Sequence, residues 1–299
     1  MKYKLILAAC ALLALHETRP APAFAAAPAA AALPSAPVRL PHISIRSIGR
    51  GDPVVLIPGL ASPAAVWDGI APELAKTHRV ILVEINGFGG GDPGGNGAPG
   101  LLAGTISDLA GWLAANHVER PAVIGHSMGG LIGMMLVRDH PERVGRLMIV
   151  DSLPFFGVLM GPGATVDSVR PMAAQMRDSI RDAAAPGDAP PNMSNSPAGV
   201  AQVTAWMHAA DRKVVAEGLY EDLESDLRSD VPKFGARPLT IVYAVPSAQS
   251  AAMVTKIYTD AYAAAPGAKL VPVENSYHFI MLDQPARFRA AVEDFIGGK

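Results

Sequence analysis

Ala122-Val123-Ile124-Gly125-His126-Ser127-Met128-Gly129-Gly130 is the stretch on which the reading of this chain turns. Its first three residues form an apolar run with the character of a buried parallel strand. Residues 127–140 have helical periodicity, with two glycines in the first turn. Between them, Gly125-His126-Ser127-Met128-Gly129 matches G-x-S-x-G. A sharp strand-to-helix turn of this kind pushes the serine hydroxyl out at the carboxyl edge of a sheet. Glycines flank the serine because side chains there would collide with the turn. The helix start adds unpaired N–H groups and a positive dipole end, which suit an oxyanion. The pattern in this context points to Ser127 as a nucleophile.

Working outward, residues 54–57, 79–85 and 146–150 are further apolar runs suited to buried strands, and residues 42–46 alternate as an edge strand does. Residues 67–75 and 105–115 have helical patterns, and the glycine-rich residues 86–100 form a loop. The alternation implies an α/β fold, a mostly parallel twisted sheet with helices on both faces. It stops near residue 155. From there to about 235 the chain is helical in pattern, rich in Met and Ala, and broken by Pro/Gly stretches. Strands at 239–244 and 269–273 and helices at 253–265 and 285–296 then resume the alternation. One domain over residues 38–299, with a helical lid insertion at about 155–235, accounts for this, because the flanking pieces complete one sheet only together.

Half of the 299 residues are hydrophobic and 17% are charged, enough apolar material for a sizeable core. The net charge of −2, with no basic block or basic helix face, gives no sign of a nucleic-acid partner. Lys2 and Lys4, the apolar residues 5–15 and Ala23-Phe24-Ala25 read as a secretory signal peptide over residues 1–25, too short for a membrane span. Residues 26–37 read as a flexible Ala/Pro lead-in. Export to the periplasm or medium is the expectation. Lipoprotein anchoring at Cys10, in Leu7-Ala8-Ala9-Cys10, ranks second. Cys10 is the only cysteine, so a processed chain has no structural disulfide and no thiolate metal site. No later segment is apolar enough for a stable membrane span.

A serine hydroxyl needs a base. His278 follows the last strand and is the only histidine after His208. The remaining histidines are scattered without metal-ligand spacing, so neither metal nor other cofactor is expected. Two backbone N–H groups should receive the oxyanion: Met128, directly after the nucleophile, and Leu60, in the loop after the first buried strand.

The set Ile57-Pro58-Gly59-Leu60, Gly125 to Gly130, His140-Pro141-Glu142-Arg143-Val144 and His278-Phe279 with Asp283-Gln284-Pro285 resembles the α/β-hydrolase superfamily over roughly residues 40–298. The resemblance implies a serine esterase- or lipase-like fold and a triad acid just after the strand at 239–244. No carboxylate stands at residues 244–250 here. Some members carry the acid after the preceding strand, which is Asp151 in this chain. Asp151 is the leading candidate; Asp260, Glu274 and a dyad without an acid are the alternatives. Phe155, Phe156 and Trp206, with Met160, Met172, Met176 and Met207, offer an apolar lid surface to a substrate with a hydrophobic part; packing of the lid helices on one another is the competing reading. The implied activity is hydrolysis of a small-molecule carboxylic ester through an acyl-enzyme. Thioesterase, lactonase, amidase and cofactor-free perhydrolase or haloperoxidase-like chemistry run on the same residues. The sequence does not define an oligomeric state.

Overall fold

The computed structural model describes residues 37–161 and 163–298. The signal-peptide reading of residues 1–25, the anchoring reading of Cys10 and nearly all of the lead-in lie outside the described residues. Eight strands form one sheet in the order β1-β2-β4-β3-β5-β6-β7-β8. They are β1 (Val38–Arg39), β2 (Ile43–Ile48), β3 (Asp52–Ile57), β4 (His78–Ile85), β5 (Ala122–His126), β6 (Arg146–Val150), β7 (Leu239–Val245) and β8 (Lys269–Glu274). β1, β2 and β4 pair antiparallel, and from β4 to β8 every neighbouring pair is parallel. The segment read as an edge strand is therefore β2, with the two-residue β1 outside it.

The helices are α1 (Ala71–Leu74), α2 (Leu101–Ala115), α3 (Met128–Asp139), α4 (Val166–Arg181), α5 (Pro197–Ala209), α6 (Arg212–Glu224), α7 (Val231–Phe234), α8 (Ala248–Ala261), α9 (Ile280–Asp283) and α10 (Pro285–Gly297). None of the described helices is long and apolar enough to cross a membrane. Alternate residues of each central strand enter two cores, as the period of two requires. Val55, Ile57, Val123, Leu147, Ile149 and Ile241 pack under α2, α3 and α8. Val54, Leu56, Ile124, Met148, Val150 and Val242 pack under α1 and α10. Coverage on both faces explains why these strands read as continuous apolar runs.

Three helices differ from expectation. α2 starts at Leu101, four residues before the expected 105. In place of one helix over 67–75 the chain forms a 3-10 turn, Ala64–Trp67, and the single-turn α1, because Gly69 and Pro72 interrupt the pattern. α8 starts five residues before the expected 253. Ser247 caps it, accepting from Ser250 N–H while Ser250 Oγ accepts from Ser247 N–H, a reciprocal start signal that hydrophobic periodicity does not register.

Between β6 and β7 the chain builds a helical cap, α4 to α7. α4 and α6 share a small core of Phe155, Val169, Ala173 and Leu223. The cap is tied to the body at several points. Glu221 on α6 accepts from the N–H groups of Gly100, Leu101 and Leu102, the start of α2. Asp211 N–H donates to Gly87 O, and Leu227 N–H to Pro154 O.

Candidate active site

Ser127 sits between β5 and α3 with φ 54° and ψ −124°. A non-glycine residue at positive φ is held there only when its surroundings fix it, and here the glycines permit it. A methyl on Gly125 would overlap the Gly129 carbonyl, and one on Gly129 would overlap the Ile57 and Pro58 carbonyls. The turn is thus packed backbone to backbone against the end of β3. A methyl on Gly59 would stand 2.9 Å from Ser127 Cβ, which brings the loop carrying Leu60 alongside the serine. Met128 N–H opens α3, where the first N–H groups have no partner within the helix. Met128 thus follows Ser127 directly, and the loop that carries Leu60 runs beside it. Glu84, at the end of β4, holds that loop by accepting from Ala64 N–H at 2.6 Å. Burial pushes its carboxyl up to about 7, opposed by the Ala64 bond and by Arg46.

Asp151 directly follows β6, also at positive φ, 49°. Its Oδ2 lies 2.7 Å from His278 Nδ1. Oδ1 accepts from Ala244 N–H and from the Tyr258 hydroxyl, both at 3.0 Å. The Asp151 carboxylate is thus oriented by β7 and α8 as well as by its own strand. Tyr258 is itself fixed by stacking on Tyr243, with centroids 4.4 Å apart. Neither alternative acid reaches His278: Asp260 pairs with Lys256 on the exposed face of α8, and Glu274 faces Arg287 at 3.8 Å.

His278 is held from beneath. His126 Nε2–H donates to the His278 carbonyl at 3.0 Å, and the two rings lie 4.6 Å apart. Burial drives the His126 imidazole down to about 3, helped by the neighbouring His278, so His126 is neutral, with its Nδ1 unpartnered. The His278 loop is also bonded to the cap. Phe279 N–H donates to Met193 O. Asp283 accepts from Tyr277 N–H, Ser194 Oγ and Asn195 N–H. Sequence reading did not identify Tyr258, His126, Glu84 or Asp283 in these roles; each acts through a bond to a residue far away in the chain.

Trp206 of the cap is half-buried against Phe279, 5.9 Å between centroids, and Phe279 touches both His126 and His278. That contact brings Trp206 beside the His278 loop. Phe155, by contrast, is fully buried between α4 and α6, under the Arg228 guanidinium at 4.5 Å. Phe156, Met172 and Met176 border the same small core. This corrects the substrate-facing reading of Phe155: a helical cap needs a core of its own, and this side chain helps provide it, with half-buried Phe156 packed against that core. Among the described residues, no three His, Cys, Asp or Glu side chains gather as a metal ion would need. A surface groove of about 710 Å³ between α2, α3 and the end of α6 is lined by none of Ser127, Asp151 or His278.

The chain is 36% identical over 118 residues to a pimeloyl-[acyl-carrier protein] methyl ester esterase from Aeromonas hydrophila, a match covering 38% of this chain and 43% of that protein. The chain spans under half the length of the curated relatives it matches. Among solved structures, it is similar to a thermophilic esterase from Thermogutta terrifontis, with a TM-score of 0.73 and 19% identity, covering 88% of this chain and 98% of the other. It is also similar to a bromoperoxidase from Bacillus anthracis, with a TM-score of 0.65 and 21% identity, covering 85% and 95%. At such identities the structural likeness speaks for the fold alone. The family model described as alpha/beta hydrolase fold matches residues 52–285, and the chain belongs to that family.

Proposed function

We propose that this chain hydrolyses carboxylic esters, with Ser127 as nucleophile, His278 as base and Asp151 as the acid that orients the base. One observation carries the reading: the 2.7 Å bond from His278 Nδ1 to Asp151 Oδ2, at the mouth of a glycine-flanked serine turn. Because that bond occupies Nδ1, Nε2 is the nitrogen free to take the serine proton. Ser127 Oγ attacks the ester carbonyl and His278 accepts its proton. The N–H groups of Met128 and Leu60 bind the oxyanion. His278 returns the proton to the departing alcohol, and water, activated by the same histidine, releases the acid. The esterase name of the Aeromonas relative supports an ester over other acyl substrates. Trp206 and Phe279 supply an apolar wall for the acyl or alcohol part.

The cap bonds through Glu221, Asp211, Leu227 and Met193 favour a fixed roof over a lid that swings open. The test is turnover of p-nitrophenyl esters of increasing acyl length. We expect hydrolysis of short esters, with kcat/KM falling for long chains and no rise in rate as a substrate passes its solubility limit. Absence of turnover across the whole series contradicts the ester reading, and a jump at the solubility limit contradicts the fixed roof.

A further inference from the structure

α6 lies across the candidate site at Gly218. A methyl there would stand 2.9 Å from Leu60 Cδ1 and 3.5 Å from Met128 Sδ. The lack of a side chain lets the helix rest on the side chains of Leu60 and Met128, the two residues whose N–H groups are assigned to the oxyanion. Residues four apart share a helix face, so Asp222 lies one turn further along on that side. The neighbouring positions of α6 are engaged elsewhere. Leu219, Tyr220 and Leu223 pack into the small core of the cap, and Glu221 holds the start of α2.

Asp222 is half-buried. Burial pushes its carboxyl up to about 7, and the charge of nearby His278 pulls against this. Its backbone carbonyl accepts from Ser225 N–H, but among the described residues its carboxylate has no hydrogen-bond or ion-pair partner. An ionisable group withdrawn from water without a partner is costly, and such groups concentrate where a ligand supplies the partner. The catalytic steps above make no use of it.

We propose that Asp222 is a substrate-recognition residue. It forms, over His278, a subsite for esters that carry a hydrogen-bond donor, an ammonium or hydroxyl group, on the part lying beneath α6. This rests on the ester-hydrolase reading and deepens it: the substrate is amphipathic, with an apolar part against Trp206 and Phe279 and a donor under α6. The carboxylate accepts the donor in place of lost water, and the low polarity around it strengthens that contact.

The test compares p-nitrophenyl 6-aminohexanoate with its carbon isostere, the heptanoate, and the 3-aminopropanoate with the butanoate. Wild type, Asp222→Asn and Asp222→Leu are assayed with both pairs. Neither variant should endanger folding, since each removes a poorly solvated carboxyl. The expected result is a ratio of kcat/KM, amino ester over alkyl ester, that falls at least tenfold in Asp222→Asn and further in Asp222→Leu for at least one pair. Ratios within twofold of wild type for both pairs overturn the proposal. That includes equal losses on both esters, which would mean that Asp222 acts on the His278 imidazolium and not on substrate. No turnover of any ester by wild type removes the ester reading itself, and the subsite with it.

Discussion

Asp151 divides its carboxylate between two tasks. Oδ2 faces His278, and Oδ1 is pinned by Tyr258 and by the Ala244 N–H. On the proposed mechanism, replacement of Asp151 by Asn leaves the wrong imidazole tautomer facing Ser127, and kcat should fall by about 10⁴. Tyr258→Phe removes only one of the two bonds to Oδ1. A bond to a charged group contributes about 1.5–3 kcal/mol, and the remaining Ala244 bond retains part of the orientation, so kcat/KM should fall about tenfold with KM little changed. Steady-state kinetics on one short ester checks both; an unchanged Tyr258→Phe enzyme would show that the hydroxyl does not orient Asp151. Asp151 was legible in the sequence through a gap, because residues 244–250 hold no carboxylate and the end of the preceding strand does. Tyr258 was not, because nothing local to α8 marks a tyrosine that meets a strand end 107 residues away. Phe155 misled for a related reason: an apolar residue in a cap reads alike whether it faces a substrate or the next helix.

At the scale of elements, the strands that hold the site were the easiest to read. β5, α3 and β6 carry strong apolar patterns, and each ends within two residues of the expected position. The helix starts were harder, since they depend on caps supplied locally, as at Ser247, or from a distance. Glu221 is the distant case. Its carboxylate takes three N–H groups at the start of α2, whose own preceding residue, Gly100, has no side chain to cap with. Negative charge at a helix N-terminus is stabilising, and loss of such a cap costs about 0.5–2 kcal/mol. Glu221→Ala removes three acceptor contacts at once and should cost about 2 kcal/mol, seen as a Tm lower by about 5 °C in calorimetry. An unaltered Tm would show that α6 is not anchored to α2 in solution.

Over the whole molecule, the site lies where the sheet, its two helical faces and the cap meet. Ser127, Asp151 and His278 follow three successive parallel pairings, at the ends of β5, β6 and β8 with β7 between, so the long-range order of the sheet sets their approach. The cap adds Trp206 from above and bonds to the His278 loop through Met193, Ser194 and Asn195. That the strands join in one mostly parallel sheet was implied by the alternation; their order, with β4 between β2 and β3, was not. Which cap residues face the site was not, because that depends on how α4, α5 and α6 pack on one another. The most direct measurement is covalent labelling with a fluorophosphonate, with the adduct mapped by mass spectrometry in wild type and in Ser127→Ala. The account predicts one adduct, on Ser127, formed in wild type and absent from the variant. An adduct on another residue, or undiminished labelling of Ser127→Ala, would contradict it.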